Sequence, residues 1–187
     1  MSINFLRDFL NNKDIVSEYS HQNYIDKMGD KQFFHMDCSG FVYWYLVQMK
    51  YKKSLAELRR FLKKHNFIKI NRFFCKDFTF IYEHQNEFNY WQFTERPTTK
   101  SILVIIFKNG HGHCMFVDKI IRNDKDKLLL RIIDSTRYPH KNDNRQATGI
   151  GSGEIELIYK NKTWFYNSNN PNLPIREAQI YFVNPVK

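Results

Sequence analysis

The residues best suited to covalent chemistry lie in the stretch from Met36 to Val42, with Cys38 at its centre. Downstream of Cys38, apolar side chains recur with the period of an α-helix, at positions 41, 42, 45, 46 and 49. This pattern predicts a helix that begins at Cys38, with Asp37 as its N-cap. Backbone N–H groups without intrahelical partners, together with the positive end of the helix dipole, favour a thiolate in the first turn. Cys38 is therefore a candidate nucleophile.

The three cysteines also allow a structural interpretation, because free cysteine is among the most often buried residue types. Cys38, Cys75 and Cys114 lack any paired spacing such as CxxC, so neither a disulfide framework nor a zinc ribbon is predicted. Cys75 is interpreted as structural. His111 and His113 could share a metal ion on one strand face, but no further ligand stands at a recognisable spacing. We expect no metal and no cofactor.

The six residues Asp-Cys-Ser-Gly-Phe-Val, from Asp37 to Val42, resemble the nucleophile motif of the NlpC-type cysteine peptidases. The resemblance implies a papain-like fold, a cysteine nucleophile, a histidine base on a later strand and a third polar residue on the strand after that. It also implies cleavage of peptides in the bacterial cell wall. A tyrosine somewhat more than ten residues before the cysteine is usual in the family, and this points to Tyr24. The family's Gly-Gly pair after that tyrosine is absent, and Ser101-Ile102 replaces the usual Gly-Asp pair before the histidine strand.

A predicted β-hairpin supplies the histidine and the third residue. If Asn123 and Asp124 form a two-residue loop, His113 lies directly opposite Asp134, with both side chains on one face. That face is otherwise apolar, and we expect it to pack against the apolar stripe of the Cys38 helix. A catalytic triad of Cys38, His113 and Asp134 is predicted, which would form a thioester with an acyl group. Asp134 could equally close the strand as part of an Asx-type turn.

Other residues are predicted to surround this site. The backbone N–H of Cys38 and the hydroxyl of Tyr24 are candidates for holding the oxyanion. The neighbours of Cys38 and the polar residues of the loop from Ser135 to Gly153 are candidates for contacting substrate; they are Asp37, Ser39, His111, Arg137 and His140.

The order of elements predicts an α+β fold in a single domain covering residues 1–187. Residues 3 to about 28 are interpreted as one or two helices, a capping box at Ser54 starts a further helix, and the stretch from Phe73 is weakly helical up to about Glu83. From Ile102 onward, apolar runs and alternating patterns predict strands at 102–107, 113–121, 127–134, 154–159, 163–166 and 178–183. Together with the motif, this gives a papain-like core of N-terminal helices packed on an antiparallel sheet, with the nucleophile at a helix N-terminus.

The composition constrains the partners and the location. The formal net charge of +10 indicates attraction to polyanions, but the basic residues are dispersed and no nucleic-acid motif is present, so no nucleic-acid partner is expected. No apolar run approaches the length of a membrane span, and residues 1–10 do not form a secretory signal. We expect a monomer that is cytoplasmic or exported without a signal.

Three functions stay open at this stage. The first is a peptidase or amidase that acts on cell-wall peptides or peptidoglycan fragments. The second is an injected hydrolase, deamidase or acyltransferase that acts on a host protein or lipid. The third is a noncatalytic binding module with the same fold.

Overall fold

The computed structural model describes residues 3–65, 73–145 and 147–187. Within these ranges the α-helices are α1 (Asn4–Asn11), α2 (Cys38–Gln48), α3 (Lys52–Lys64) and α4 (Asp77–Glu83). The strands are β1 (Ile15–Glu18), β2 (Tyr24–Met28), β3 (Lys31–His35), β4 (Trp91–Thr94), β5 (Ile102–Phe107), β6 (Gly112–Asn123), β7 (Lys127–Thr136), β8 (Gly149–Lys160), β9 (Thr163–Asn167) and β10 (Arg176–Pro185).

The larger sheet closes on itself. Its strands follow the order β4-β10-β5-β6-β7-β8-β9, and β9 also pairs with β10, at Tyr166 with Arg176. Strands β5 to β10 thus form a closed, antiparallel six-stranded barrel, and β4 extends the sheet beside β10. The predicted papain-like core of helices on an antiparallel sheet is wrong, because closure gives this sheet an interior of its own.

Two hydrophobic clusters lie on either side of the barrel wall. Alternate residues of every barrel strand fill the interior, including Leu103, Met115, Val117 and Ile132. The residues between them face outward against the helices, as Cys114 and Phe116 do in β6. This explains why β5 is an unbroken apolar run: each of its two faces is buried against a different cluster.

Helix α2 packs on the outside of the barrel. The rings of Phe41 and Tyr45 lie 5.9 and 4.5 Å from the ring of Phe116. The sequence predicted that the opposite face, with Met115 and Val117, would meet this helix, and that prediction is wrong. Those side chains point into the barrel, and α2 packs against the other face of the hairpin, which carries Cys114 and Phe116.

The N-terminal region contains more strand than predicted. Helix α1 ends at Asn11, and the next segment forms a three-stranded sheet in the order β1-β3-β2. The helical interpretation of residues 3 to about 28 is therefore correct for α1 alone. Strand β2 is exposed along its whole length, so its sequence carries little of the alternation that identifies a half-buried strand. By contrast, the strands predicted from Ile102 onward are confirmed, with small differences at their ends.

Candidate active site

Cys38 is the first residue of α2, as predicted, and Asp37 is its N-cap. Oδ1 of Asp37 accepts hydrogen bonds from the Gly40 N–H at 2.7 Å and from the Ser39 hydroxyl at 3.0 Å. Asn23 fixes the cap from the other side, because its Oδ1 accepts the N–H of Asp37 at 3.0 Å and its Nδ2 donates to Oδ2 of Asp37 at 3.1 Å. These bonds hold the start of the helix and the Cys38 side chain in one orientation.

The three cysteines, which are far apart in sequence, come together at this point. Sγ of Cys38 lies 3.8 Å from Sγ of Cys75, and the sulfur atoms of Cys38, Cys75 and Cys114 all lie within 4.8 Å of one another. All three residues are buried, Cys38 with 6% of its surface exposed. The prediction that Cys75 is merely structural missed this cluster, because three different elements deliver the sulfur atoms and no sequence spacing reveals it.

The pKa shifts of the three thiols favour a negative charge on Cys38 over one on Cys75 or Cys114. Hydrogen bonds from Cys114 and Cys75 hold the pKa of the Cys38 thiol well below its usual value, against the effect of burial, and the positive charge of His113 lowers it further. Burial and the hydrogen bond to Cys38 raise the pKa of Cys114 well above its usual value. The pKa of Cys75 is also raised, because its hydrogen bond to Cys38 and its burial outweigh the hydrogen bond with Cys114. Two neutral thiols thus donate to one thiolate.

His113 and Asp134 form the contact that the sequence predicted, through a different register. Nε2 of His113 lies 2.5 Å from Oδ2 of Asp134. The β6–β7 ladder pairs Phe116 with Ile133 and Val117 with Ile132, two positions away from the predicted pairing. Extended toward Gly112, this register sets His113 diagonally across from Asp134 rather than directly opposite. Diagonal neighbours on one face remain within reach of long side chains.

His113 lies between Asp134 and Cys38. Burial favours the neutral imidazole, but the negative charge of Cys38 and the hydrogen bonds to Asp134 and Cys38 outweigh it and raise the pKa of His113 to about 10. Since Nε2 faces Asp134, Nδ1 is the nitrogen that remains for Cys38. The resting pair at neutral pH is therefore a thiolate and an imidazolium, and the His113 side chain keeps 15% of its surface exposed.

Asp134 is completely buried and is held by three cationic or polar groups. Besides His113, it accepts a hydrogen bond from Arg145 Nη2 at 2.6 Å and lies 3.0 Å from His140 Nε2. Burial alone would raise the pKa of Asp134, but the charge of Arg145 and the contacts with His140 and His113 hold it well below its usual value. Arg145 is in turn bonded to Asp143 Oδ1 at 2.7 Å. A buried carboxylate with this support stays ionised and fixes the orientation of the His113 ring.

Two glycines in β8 make room for these supporting side chains. A Cβ atom on Gly151, which pairs with Asp134, would lie 2.5 Å from Nε of Arg145. A Cβ on Gly153 would lie 2.6 Å from Cβ of His140. The glycine-rich stretch that the sequence assigned to a substrate-binding loop therefore belongs to a barrel strand, and its lack of side chains admits Arg145 and His140 to the site.

Tyr19 is a tyrosine whose hydroxyl interacts electrostatically with Cys38. It is half-buried, and after the effect of burial, the negative charges of Cys38 and Asp37 raise the pKa of its hydroxyl. The loop before β8 docks on the segment from Ser17 to Tyr19, where the Tyr19 N–H donates to Thr148 Oγ1 at 3.3 Å. Sequence reasoning missed Tyr19, since nothing in its local pattern separates it from other tyrosines.

The other predicted site residues have different surroundings. Tyr24 lies in β2 with 40% of its surface exposed and stacks on the ring of His35 at 4.4 Å. His111 is exposed in the turn before β6, and Arg137 is exposed with its guanidinium 5.2 Å from the centre of the Tyr19 ring. Asp37, Ser39 and His140 are all buried and act on other protein groups, so they position the site rather than form its rim.

No protein-family model matches the chain, and no significant match was found among curated proteins or solved structures. The site must therefore be interpreted from its own geometry.

In the part of the chain that the structure describes, no helix combines the length and the apolar character needed to cross a lipid bilayer.

Proposed function

We propose that the protein is a thiol-dependent hydrolase that cleaves an amide bond through a thioester on Cys38. The observation that supports this most directly is the buried relay from Arg145 through Asp134 and His113 to the Cys38 thiolate at the start of α2. A nucleophile, a base within hydrogen-bond reach of it and a third group that orients the base are the parts that acyl transfer by a cysteine requires.

The proposed reaction begins from the thiolate–imidazolium pair. The Cys38 thiolate attacks the amide carbonyl, and a C–S bond forms while the carbonyl oxygen takes the negative charge. The tetrahedral intermediate collapses, the C–N bond breaks, and His113 gives its proton from Nδ1 to the leaving amine. Neutral His113 then takes a proton from water, whose oxygen attacks the thioester carbonyl; the C–S bond breaks, the acid is released, and the Cys38 thiolate and the His113 imidazolium are restored. Asp134 keeps the ring oriented and stabilises the imidazolium throughout.

The oxyanion needs donors close to the Cys38 sulfur. The backbone N–H of Cys38, at the positive end of the α2 dipole, is one proposed donor. The Tyr19 hydroxyl is the second, because the charge of Cys38 affects its pKa and it keeps its proton at neutral pH. Tyr24, the donor suggested by the sequence, is turned toward His35 and fits this role less well.

For the substrate, we propose peptides of the bacterial cell wall. The support is the resemblance of the segment from Asp37 to Val42 to the NlpC-type nucleophile motif, together with a net charge of +10 that suits anionic wall polymers. This substrate class rests on the motif and the net charge, whereas the reaction class rests on the site.

Selective alkylation tests the proposed nucleophile. In folded protein at pH 6, iodoacetamide followed by mass spectrometry should label Cys38 far faster than Cys75 or Cys114, which serve as controls within the same chain. A His113→Ala variant should lose this selectivity. Equal, slow labelling of all three thiols would overturn the proposal. An unactivated cysteine reacts only as its thiol ionises, at a pH near the ordinary cysteine pKa of about 8.5.

Incubation with purified muropeptides then tests the substrate. We expect new amino groups and shortened peptides with the wild type and none with Cys38→Ala. If Cys38 is selectively alkylated and muropeptides stay intact, the cell-wall assignment is wrong while the acyl-transfer centre stands.

A further inference from the structure

The three cysteine sulfur atoms have the spacing of a metal site. In a tetrahedral zinc–thiolate centre with Zn–S bonds of about 2.3 Å, neighbouring sulfur atoms are about 3.8 Å apart. The separation of the Cys38 and Cys75 sulfur atoms is 3.8 Å, and Cys114 completes a triangle in which every separation is below 4.8 Å. We propose that Cys38, Cys75 and Cys114 bind a thiophilic metal ion of the zinc class as a three-thiolate site.

His113 is the proposed fourth ligand, and its ring must move toward the ion, because it lies outside the group in which the three sulfur atoms come within 4.8 Å of one another. His113 interacts electrostatically with Cys38, and its Nε2 lies 2.5 Å from Oδ2 of Asp134. A histidine that binds a metal through one nitrogen usually donates the N–H of the other nitrogen to a carboxylate or a carbonyl group. Asp134, fixed by Arg145, gives His113 that partner at Nε2, which leaves Nδ1 to bind the ion. Three thiolates and one imidazole form a Cys3His ligand set, which is common in structural zinc sites.

A second group of potential ligands, His113, Asp134 and His140, also lies within 4.8 Å, but it is a poorer site. The guanidinium of Arg145 already occupies Oδ1 of Asp134 at 2.6 Å, so an added divalent cation would meet a buried positive charge. Among the residues that the structure describes, no buried arginine or lysine is bonded to the sulfur cluster, and His113 binds a metal as a neutral imidazole. Soft thiolates also favour zinc and copper(I) over the hard cations that carboxylates prefer.

Metal binding and catalysis at Cys38 exclude each other. The lone pair on Sγ of Cys38 that would attack a carbonyl is the one that would bind the ion. The thiols of Cys75 and Cys114 and the His113 imidazolium each release one proton to solvent as they coordinate. A bound ion therefore holds the proposed enzyme inactive until a stronger chelator removes it. The metal site itself does not depend on the proposed function, because it requires only the positions of the sulfur atoms.

Cobalt substitution is the direct test. Reduced, metal-free protein of full length is titrated with Co²⁺. We expect visible d–d bands of tetrahedral Co²⁺ and a thiolate charge-transfer band in the ultraviolet, saturating at one ion per chain and bleached by Zn²⁺. Cys75→Ser and Cys114→Ser should each weaken Zn²⁺ binding by at least about 10–100-fold, the loss typical even of outer-shell changes. His111→Ala, which removes an exposed histidine beside the site, should leave Zn²⁺ affinity unchanged.

A measurement on the unmodified protein guards against misfolded variants. Saturating Zn²⁺ should slow alkylation of Cys38, Cys75 and Cys114 together, and a chelator should restore all three rates. Absence of tetrahedral Co²⁺ bands combined with unchanged alkylation overturns the metal site. Protection that is lost with His111→Ala but kept with Cys114→Ser would also overturn it, because the ion would then lie on the exposed histidines. Selective alkylation of Cys38 in metal-free protein is a separate result, so either proposal can fail alone.

Discussion

Oδ2 of Asp134 reaches Nε2 of His113 at 2.5 Å although the hairpin register places the two residues diagonally. The contact forms because two β-bulges in β6, near Asp118 and Ile121, each shift the pairing of β6 with β7 by one residue. One bulge would turn His113 to the opposite face from Asp134, whereas two restore the original face. The contact between His113 and Asp134 thus depends on β6 containing an even number of one-residue register shifts.

The pH dependence of turnover follows from the thiolate–imidazolium pair. Because the pKa of His113 is raised to about 10, we expect turnover to fall above that pH, where the leaving amine loses its proton donor. Turnover should also fall at low pH as Cys38 becomes protonated, well below the ordinary thiol range. Alkylation of Cys38 should fall on the acid side only, since the thiolate persists in alkali. A turnover rate that rises steadily through pH 9 would contradict the assignment.

Replacing Arg145 tests the support of Asp134. Arg145→Met leaves a buried carboxylate without its strongest partner, and removing one member of a buried ion pair costs about 3–5 kcal/mol. Urea unfolding at pH 7 should show this loss, while Arg137→Met, at an exposed position on the same loop, should stay within about 0.5 kcal/mol of the wild type. Similar stabilities for the two variants would show that Asp134 does not depend on Arg145.

The low pKa of Asp134 also predicts acid sensitivity. Its folded-state pKa lies well below the unfolded value, so its stabilising effect is complete above the unfolded pKa of about 3.9 and is lost as the pH falls toward the folded value. The free energy of unfolding should therefore drop below about pH 4 in the wild type. In Asp134→Asn, the free energy of unfolding should fall less steeply below about pH 4 than it does in the wild type, as urea unfolding at several pH values would show.

The glycine of the motif can be tested through its neighbour. A Cβ on Gly40 would lie 1.6 Å from Oδ1 of Asn23, so Gly40→Ala should be destabilising. An Asn23→Ala background removes this overlap and leaves Asp37 Oδ1, at 3.2 Å, as the nearest atom, and alanine is better than glycine in a helix by about 1 kcal/mol. Thermal unfolding of the four proteins should give a coupling energy of about 0.5–3 kcal/mol. Equal effects of Gly40→Ala in both backgrounds would exclude the steric explanation.

Tyr19 and Tyr24 make competing predictions about the oxyanion. If the Tyr19 hydroxyl is a donor, Tyr19→Phe should lower kcat by about 10²–10³-fold with little change in KM, as loss of one such donor does elsewhere. Cys38 should still be alkylated selectively, because the hydroxyl is not part of the thiolate–imidazolium pair. A larger loss of turnover in Tyr24→Phe than in Tyr19→Phe would restore the sequence-based assignment.

Local chemistry in the sequence was enough to predict the start of α2, its Asp37 cap and the shared face of His113 and Asp134. Each depends on residues a few positions apart or on strict alternation, and alternation tolerates an even shift of register. Closure of the barrel was not predictable in this way, because the pairing of β9 with β10 depends on the tilt of all six strands. Arg145, Cys75 and Cys114 were missed for the same reason: only the tertiary fold brings them to Cys38 and Asp134.

The distance along the chain between Cys38 and His113 has a consequence for the newly made protein. At translation rates of about 5–20 residues per second, His113 follows Cys38 out of the ribosome after about 4–15 s. During that interval the strand that carries His113 and its partner Asp134 cannot yet pair, so the Cys38 sulfur has the reactivity of an ordinary thiol. The nascent polypeptide therefore lacks the residues that lower the pKa of Cys38, and the activated thiolate forms only when the barrel wall behind it has been built.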